Sequence, residues 1–116
     1  MPDREHWLSR VQPLGSSRLQ IEYSRAFSPA EAEKLRNGVW PQNQDERWVI
    51  LLGDTSLDLW RSWTGHCIFS LPALTSDSGV MVQPLIVNGD AEQYRRVSDA
   101  EDIRLLESII NRILKT

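Results

Sequence analysis

The residues best suited to binding a ligand stand together in the middle of the chain. They are Arg61, Ser62, Trp63, Thr64 and Gly65. An arginine guanidinium is a planar fork that binds a phosphate or a carboxylate, and a tryptophan ring offers a face on which a base or another ring stacks. Threonine and glycine add hydrogen-bonding groups at close approach. The segment is therefore a candidate recognition site.

Three residues further along the chain are candidates for the opposite wall of this site. Asn88 and Asp90 belong to a turn sequence, and Tyr94 lies in the short polar segment that follows it. We expect them to face the Arg61 segment. Together the eight residues form the predicted ligand- or partner-binding set.

The same cluster also has a purely structural interpretation. Arg61 then pairs with Asp90 or another carboxylate and ties two strands together, Trp63 fills the core under the C-terminal helix, and Thr64-Gly65 is a turn. Arg61 lies at the end of an alternating apolar run, where an unpaired charge is costly. An anion is expected to meet it, from either the protein or a ligand, and this choice separates the two interpretations.

Catalytic and metal-binding chemistry has less support in the sequence. His66 and Cys67 are adjacent, and neighbours on a strand point to opposite faces, so neither a shared zinc ion nor a nucleophile–base pair is expected. Glycine-rich phosphate loops of the usual patterns are missing. Asp54, Asp58 and Asp90 carry carboxylates, but nothing in the sequence pairs them. We expect no catalytic residue, no metal and no cofactor.

The composition predicts one ordinary globular domain. The 116 residues are 41% hydrophobic and 25% charged, and their net charge of −3 gives no electrostatic footprint for nucleic acid. No apolar run approaches the roughly 18 residues that a membrane helix needs. The charged start of the chain is not typical of a signal peptide. One cysteine, Cys67, fits a reducing cytoplasm.

The order of elements predicts an α+β fold. Residues 1–17 show no sustained periodicity of apolar residues and are expected to be a flexible lead-in. Residues 18–116 are expected to form a single domain. Apolar patterns predict strands around 18–24, 49–52, 57–62, 67–71 and 80–87, the last interrupted at Pro84, and capping boxes at Ser28 and Ser98 predict helices. The result is a two-layer β-α-β-β-β-β-α arrangement, with an antiparallel sheet of about five strands and a C-terminal helix packed on one face.

The C-terminal helix carries a wide apolar stripe. Leu105-Leu106 and Ile109-Ile110 are paired apolar positions within it. A wide stripe is typical of a helix buried in its own domain, and the alternative is a surface shared with a second copy. The sequence thus leaves a monomer or a homodimer open.

Four segments resemble a family of small bacterial domains. They are Phe27-Ser28-Pro29-Ala30-Glu31, Arg47-Trp48-Val49-Ile50, the R-S-W-T-G-x-C-I pattern of residues 61–68, and the V-N-x-D-x-x-Q-Y pattern of residues 87–94. The resemblance spans roughly residues 18–115. It implies an association with ADP-ribosylglycohydrolase-type and other ADP-ribose-related proteins. The family pattern has a basic residue where Gly89 stands and a histidine where Trp60 stands, so ligand contacts there are not carried over.

Two functions follow from these observations. The first is a small non-catalytic binding or interaction domain with a protein partner, in an immunity or antitoxin-like role or as an accessory to an ADP-ribose-related enzyme. The second is a ligand-binding or minor enzymatic domain that acts on a nucleotide-like or phosphorylated molecule through Arg61 and Trp63.

Overall fold

The described part of the chain contains three helices and seven strands. The structure is a computed structural model and describes residues 4–115. In chain order the elements are α1 (Arg4–Leu8), β1 (Arg18–Ile21), β2 (Arg25–Phe27), α2 (Pro29–Asn37), β3 (Trp48–Leu52), β4 (Ser56–Arg61), β5 (Cys67–Ser76), β6 (Gly79–Val82), β7 (Leu85–Asn88) and α3 (Asp99–Leu114). The predicted α+β class, antiparallel sheet and C-terminal helix are confirmed.

The sheet follows five strand paths, two of which are interrupted. Its order is β1-β7-β5-β4-β3, while β6 pairs with the far half of β5 and β2 pairs with β6. Every pairing is antiparallel. β1 and β2 lie end to end on one path, and β7 and β6 lie end to end on the next. Seven strands therefore replace the predicted five, because a break at residues 22–24 divides one path and the expected interruption at Pro84 divides the other.

The main core lies between the sheet and the two longer helices. Ser28 accepts a hydrogen bond from the Glu31 backbone N–H while the Glu31 carboxylate accepts one from the Ser28 N–H, so the predicted capping box begins α2. The apolar stripe of α3 packs into the same core through Leu106, Ile109 and Ile110. The apolar stripe is therefore buried within its own domain. Among residues 4–115, no helix is long and apolar enough to cross a membrane.

A second, smaller core covers the opposite face of the sheet at one end. Its buried members are Trp7, Val49, Leu51, Trp60 and Cys67. A register shift between Leu59 and Trp60 places Trp60 opposite Cys67 on this face, while Leu59 pairs with Phe69 in the main core. Burial, with a smaller contribution from the negative charge of Asp58, raises the pKa of the Cys67 thiol to about 12. The thiol is therefore protonated at neutral pH.

The segment predicted to be a flexible lead-in supplies the cover for this second core. The Trp7 indole N–H donates to the Pro41 carbonyl at 3.1 Å, and the Trp60 indole N–H donates to the Gln12 carbonyl at 2.9 Å. Residues 4–14 thus add a partial third layer where a flexible lead-in was expected, and residues 1–3 of that lead-in lie outside the described residues. The sequence pattern missed this layer because isolated residues of an irregular segment make the contacts, and they leave no period.

The second core gives a test of the lead-in. Replacing Trp7 by alanine removes a buried ring and its hydrogen bond, and we expect the free energy of unfolding to fall by about 3 kcal/mol. Chemical denaturation measures this change. Leu74→Ala is the control, because the Leu74 side chain is 75% exposed. Equal stability of the two variants would contradict the packing of residues 4–14.

Candidate functional site

A tight turn after β4 holds the centre of the predicted site. The Gly65 N–H donates to the Arg61 carbonyl at 2.8 Å, and the Arg61 N–H donates to the His66 carbonyl at 3.0 Å. Gly65 has a φ of +79°, and a Cβ at this residue would lie 2.4 Å from the Arg10 carbonyl oxygen. The Thr64-Gly65 turn of the structural interpretation is therefore present, and its last residue has to be glycine.

Ser62 fastens a neighbouring loop to this turn. Its side chain is buried, its hydroxyl donates to the Glu46 carbonyl at 3.0 Å, and its backbone N–H donates to the Arg47 carbonyl at 2.8 Å. These bonds hold the end of the polar loop beside β4. Ser62 thus positions Arg47 and does not face the cavity described next.

Next to the turn lies a cavity of about 340 Å³. It is lined by Arg47, Arg61, Trp63, Thr64, Gln93, Tyr94 and Arg95. Four of the eight predicted site residues line it, namely Arg61, Trp63, Thr64 and Tyr94. The structure thus places the R-S-W-T-G segment and the segment after β7 around the same cavity.

Arg61 is held in the cavity by an aromatic stack. Its guanidinium carbon lies 4.6 Å from the centroid of the Trp48 ring, and Trp48 in turn stacks on Phe69 with a centroid distance of 6.2 Å. A cation over an aromatic face is stabilised by the ring's quadrupole. No carboxylate among residues 4–115 forms an ion pair with Arg61, so the pairing with Asp90 that the structural interpretation requires is not made.

Trp63 lies at the rim of the cavity and not in the core. Two thirds of it is exposed (66%), its indole N–H donates to the Gln44 carbonyl at 3.0 Å, and the Arg47 guanidinium carbon lies 5.6 Å from its ring centroid. The core-filling alternative is wrong for this residue. Strand parity does not extend to it because β4 ends at Arg61 and the chain then turns outward.

Asn88 and Asp90 support the opposite wall without lining the cavity. The buried Asn88 amide donates to the Cys67 carbonyl at 2.9 Å and to the Gln93 side-chain oxygen at 2.8 Å, and its own oxygen accepts from the Asp90 N–H. The Asp90 carbonyl accepts from the N–H groups of Gln93 and Tyr94, both at 2.9 Å. These two predicted residues therefore shape the segment that carries the cavity wall.

Tyr94 is fixed by a buried carboxylate. Its hydroxyl donates to Asp102 at 2.7 Å, and Asp102 also accepts from Arg96 at 2.9 Å. Burial, followed by the hydrogen bond to Asp102, raises the pKa of the Tyr94 phenol above its usual value of 10, although the positive charge of Arg61 opposes the shift. The phenol therefore stays neutral, and Tyr94 offers the cavity a rigid ring.

Three lining residues were missed by the sequence analysis. Arg47 precedes Trp48, whose cross-strand partner is Arg61, so the β3–β4 register was the signal that could have found it. Gln93 and Arg95 flank the predicted Tyr94 and are brought in by the turn at Asp90. Polar residues in a loop show no hydrophobic periodicity in the sequence. They come together only through hydrogen bonds that form when the chain folds.

The charges around the cavity have one sign. Arg47, Arg61 and Arg95 line it, no aspartate or glutamate is among its described lining residues, and no ion pair to these three arginines occurs within residues 4–115. Like charges gathered in one cleft raise the local concentration of an oppositely charged ligand. The geometry thus favours an anion.

The described lining residues offer binding groups more than catalytic ones. They supply guanidinium and amide donors, aromatic rings and the Thr64 hydroxyl, which accepts from the His66 N–H at 3.3 Å. Histidine, cysteine and carboxylates, the usual general bases, do not line the cavity in the described part of the chain. Within residues 4–115, no three such side chains form a group that could hold a metal ion.

Comparisons with known proteins add no further constraint on this site. No family model, curated protein or solved structure matches the chain. The chemistry of the cavity is accordingly argued from its own residues.

Gly65 gives a test of the turn that carries the site. In Gly65→Ala the new methyl group would collide with the Arg10 carbonyl at a positive φ, so we expect the free energy of unfolding to fall by at least about 2 kcal/mol. Thermal and denaturant unfolding measure it. Gly15→Ala is the matched control, because a Cβ there meets nothing within 4 Å. A Gly65→Ala protein as stable as the control would contradict the turn geometry.

Proposed function

We propose that this protein is a non-catalytic binding domain whose ligand is a phosphorylated or nucleotide-like small molecule held in the Arg61 cavity. The observation that carries the proposal is the gathering of Arg47, Arg61 and Arg95 around one cavity, with no carboxylate neutralising them among the described residues. Trp63 at the rim adds a ring for stacking. Arginine forks and an aromatic face together suit a phosphate joined to a flat ring.

The positive charges around the cavity favour the binding of an anion. Three guanidinium groups around one cleft repel one another weakly, since Arg47 and Arg95 are exposed to solvent, and a bound anion would relieve this repulsion. Within residues 4–115, Arg25, Arg96 and Arg104 have carboxylate partners, and the other arginines, those of the cavity included, form no ion pair. The cavity arginines differ from the rest because three of them line one cavity. A charge-assisted hydrogen bond contributes about 1.5–3 kcal/mol, so each one that a ligand forms strengthens its binding by about tenfold or more.

The biological setting belongs to the same proposal. The resemblance of residues 61–68 and 87–94 to small bacterial domains associated with ADP-ribose-related proteins agrees with a nucleotide-like ligand. A cytoplasmic location agrees with the single, buried Cys67. An accessory role beside an ADP-ribose-related enzyme would use ligand binding without catalysis by this chain.

A protein partner is the second candidate, and the exposure of Trp63 favours it. Tryptophan, tyrosine and arginine are the residues most enriched at the energetic centres of protein interfaces. Trp63, Tyr94, Arg47, Arg61 and Arg95 form such a group on one open surface. An acidic partner, including one met in an immunity or antitoxin-like role, would dock here. It would compete with a small anion for the same residues.

Tryptophan fluorescence tests the proposed ligand site, because Trp48 and Trp63 each contact a cavity arginine. We expect titration with ADP, ADP-ribose or NAD to change the emission of the wild-type protein in a saturable way. Arg61→Ala should weaken binding by at least about tenfold, since one charge-assisted contact of about 1.5–3 kcal/mol is lost. Arg104→Ala is the matched control, as Arg104 pairs with Glu101 on the exposed side of α3.

A second variant keeps this test decisive if Arg61→Ala is unstable. Arg95 is exposed, and its replacement by alanine removes charge from the cavity without disturbing an aromatic stack. Weaker binding in a stable Arg95→Ala protein supports the site. Unchanged emission of the wild type with all three compounds would overturn the small-molecule proposal and leave the protein partner as the explanation.

A further inference from the structure

Two of the cavity arginines are held in place before any ligand arrives. Arg61 lies on the Trp48 ring and Arg47 lies over the Trp63 ring, with guanidinium-to-centroid distances of 4.6 and 5.6 Å. A guanidinium that is already ordered loses less conformational entropy when it binds an anion. Because the two forks rest on different rings, each can receive an anionic group of its own. The cavity is thus prepared for more than one phosphate.

Gln93 adds an oriented donor to the same wall. The Asn88 amide donates to the Gln93 side-chain oxygen at 2.8 Å, which fixes the orientation of the Gln93 amide. Its NH₂ group makes no hydrogen bond within residues 4–115, and Gln93 lines the cavity. An amide held by its oxygen presents its two N–H donors. Asn88 thereby acts as a positioning residue that directs donors towards an anion.

The cavity is small for a ligand-binding site. Small-molecule sites range over about 300–1,000 Å³, and at about 340 Å³ this cavity lies near the lower end. Such a volume suits a single nucleotide with short phosphates better than two nucleosides joined through a diphosphate. The exposed Trp63 stands at the rim, where the ring of such a ligand would leave the cavity.

The lining also distinguishes a free phosphate from a metal-bound one. Sites that bind nucleotides through Mg²⁺ hold the metal with carboxylates or hydroxyl oxygens. The described lining residues offer three guanidinium groups, an oriented amide and the hydroxyl of Thr64, but no carboxylate. Positive side chains repel a bound cation, and Mg²⁺ already neutralises the charge that they would recognise. The site therefore favours phosphates that carry no metal.

We infer that the ligand of this site is a metal-free nucleoside diphosphate. A diphosphate carries roughly three negative charges, one on its inner phosphate and nearly two on its terminal one, and three arginines line the cavity. Its two phosphates contact Arg61 and Arg47, with Arg95 and Gln93 completing the donor set, and its base stacks on Trp63. The inference rests on the proposed function and specifies the class of ligand.

Isothermal titration calorimetry of the full chain in EDTA tests the inference with adenosine, AMP, ADP and ADP-ribose. We expect ADP to bind about tenfold more tightly than AMP or ADP-ribose, because it makes one more charge-assisted contact. Adenosine, which has no phosphate, should show no measurable binding. Excess Mg²⁺ should weaken ADP binding by about tenfold. Gln93→Leu should weaken ADP binding several-fold, whereas Gln83→Leu, an exposed glutamine between β6 and β7, should leave it unchanged.

The outcomes separate this inference from the proposed function. Binding of AMP as tight as that of ADP, tighter binding of ADP-ribose, or ADP binding strengthened by Mg²⁺ would overturn the inference and leave an anion site in place. Failure of all four compounds, and of inorganic pyrophosphate as a fifth, would overturn both. If Gln93→Leu and Gln83→Leu behave alike while ADP binding survives, the positioning role of Asn88 is contradicted.

Discussion

The stack of Arg61 on Trp48 and of Trp48 on Phe69 connects the core of this protein to its candidate site. Phe69 is fully buried in the main core, so the stack runs from the packed interior to a charged group at the surface. It explains how a charge is tolerated at the end of an apolar strand face without a carboxylate beside it. The Trp48 ring stabilises the Arg61 guanidinium, and the packing of Trp48 on Phe69 fixes the position of that ring.

The rest of the cavity depends on hydrogen bonds and close backbone contacts that hold its loops in place. The turn at Gly65 fits closely against the Arg10 backbone, and Ser62 fastens the preceding loop. On the other wall the buried Asn88 and Asp102 hold the segment that carries Tyr94. Polar groups buried in this way have to find partners, and the partners that they find determine where the arginines lie. The site thus depends on buried hydrogen bonds more than on the strands themselves.

Sequence patterns predicted the framework and part of the site for reasons that the structure makes clear. The capping box at Ser28 and the stripe of α3 are local signals, and both elements form as expected. The Arg61–Gly65 segment stood out because its chemistry is concentrated in consecutive residues. Arg47 and the contacts of Trp7 were missed, since they come together only through cross-strand register and packing by an irregular segment. Such convergence leaves no period in one sequence.

The most direct measurement is NMR of the arginine side chains during titration with inorganic pyrophosphate. We expect the guanidinium resonances of Arg47, Arg61 and Arg95 to shift together and to saturate at one equivalent, because these residues line one cavity. Those of Arg104, which is paired with Glu101, should stay in place. Shifts spread evenly over all arginines, or no shift at Arg61, would contradict the claim that this cavity is an anion site.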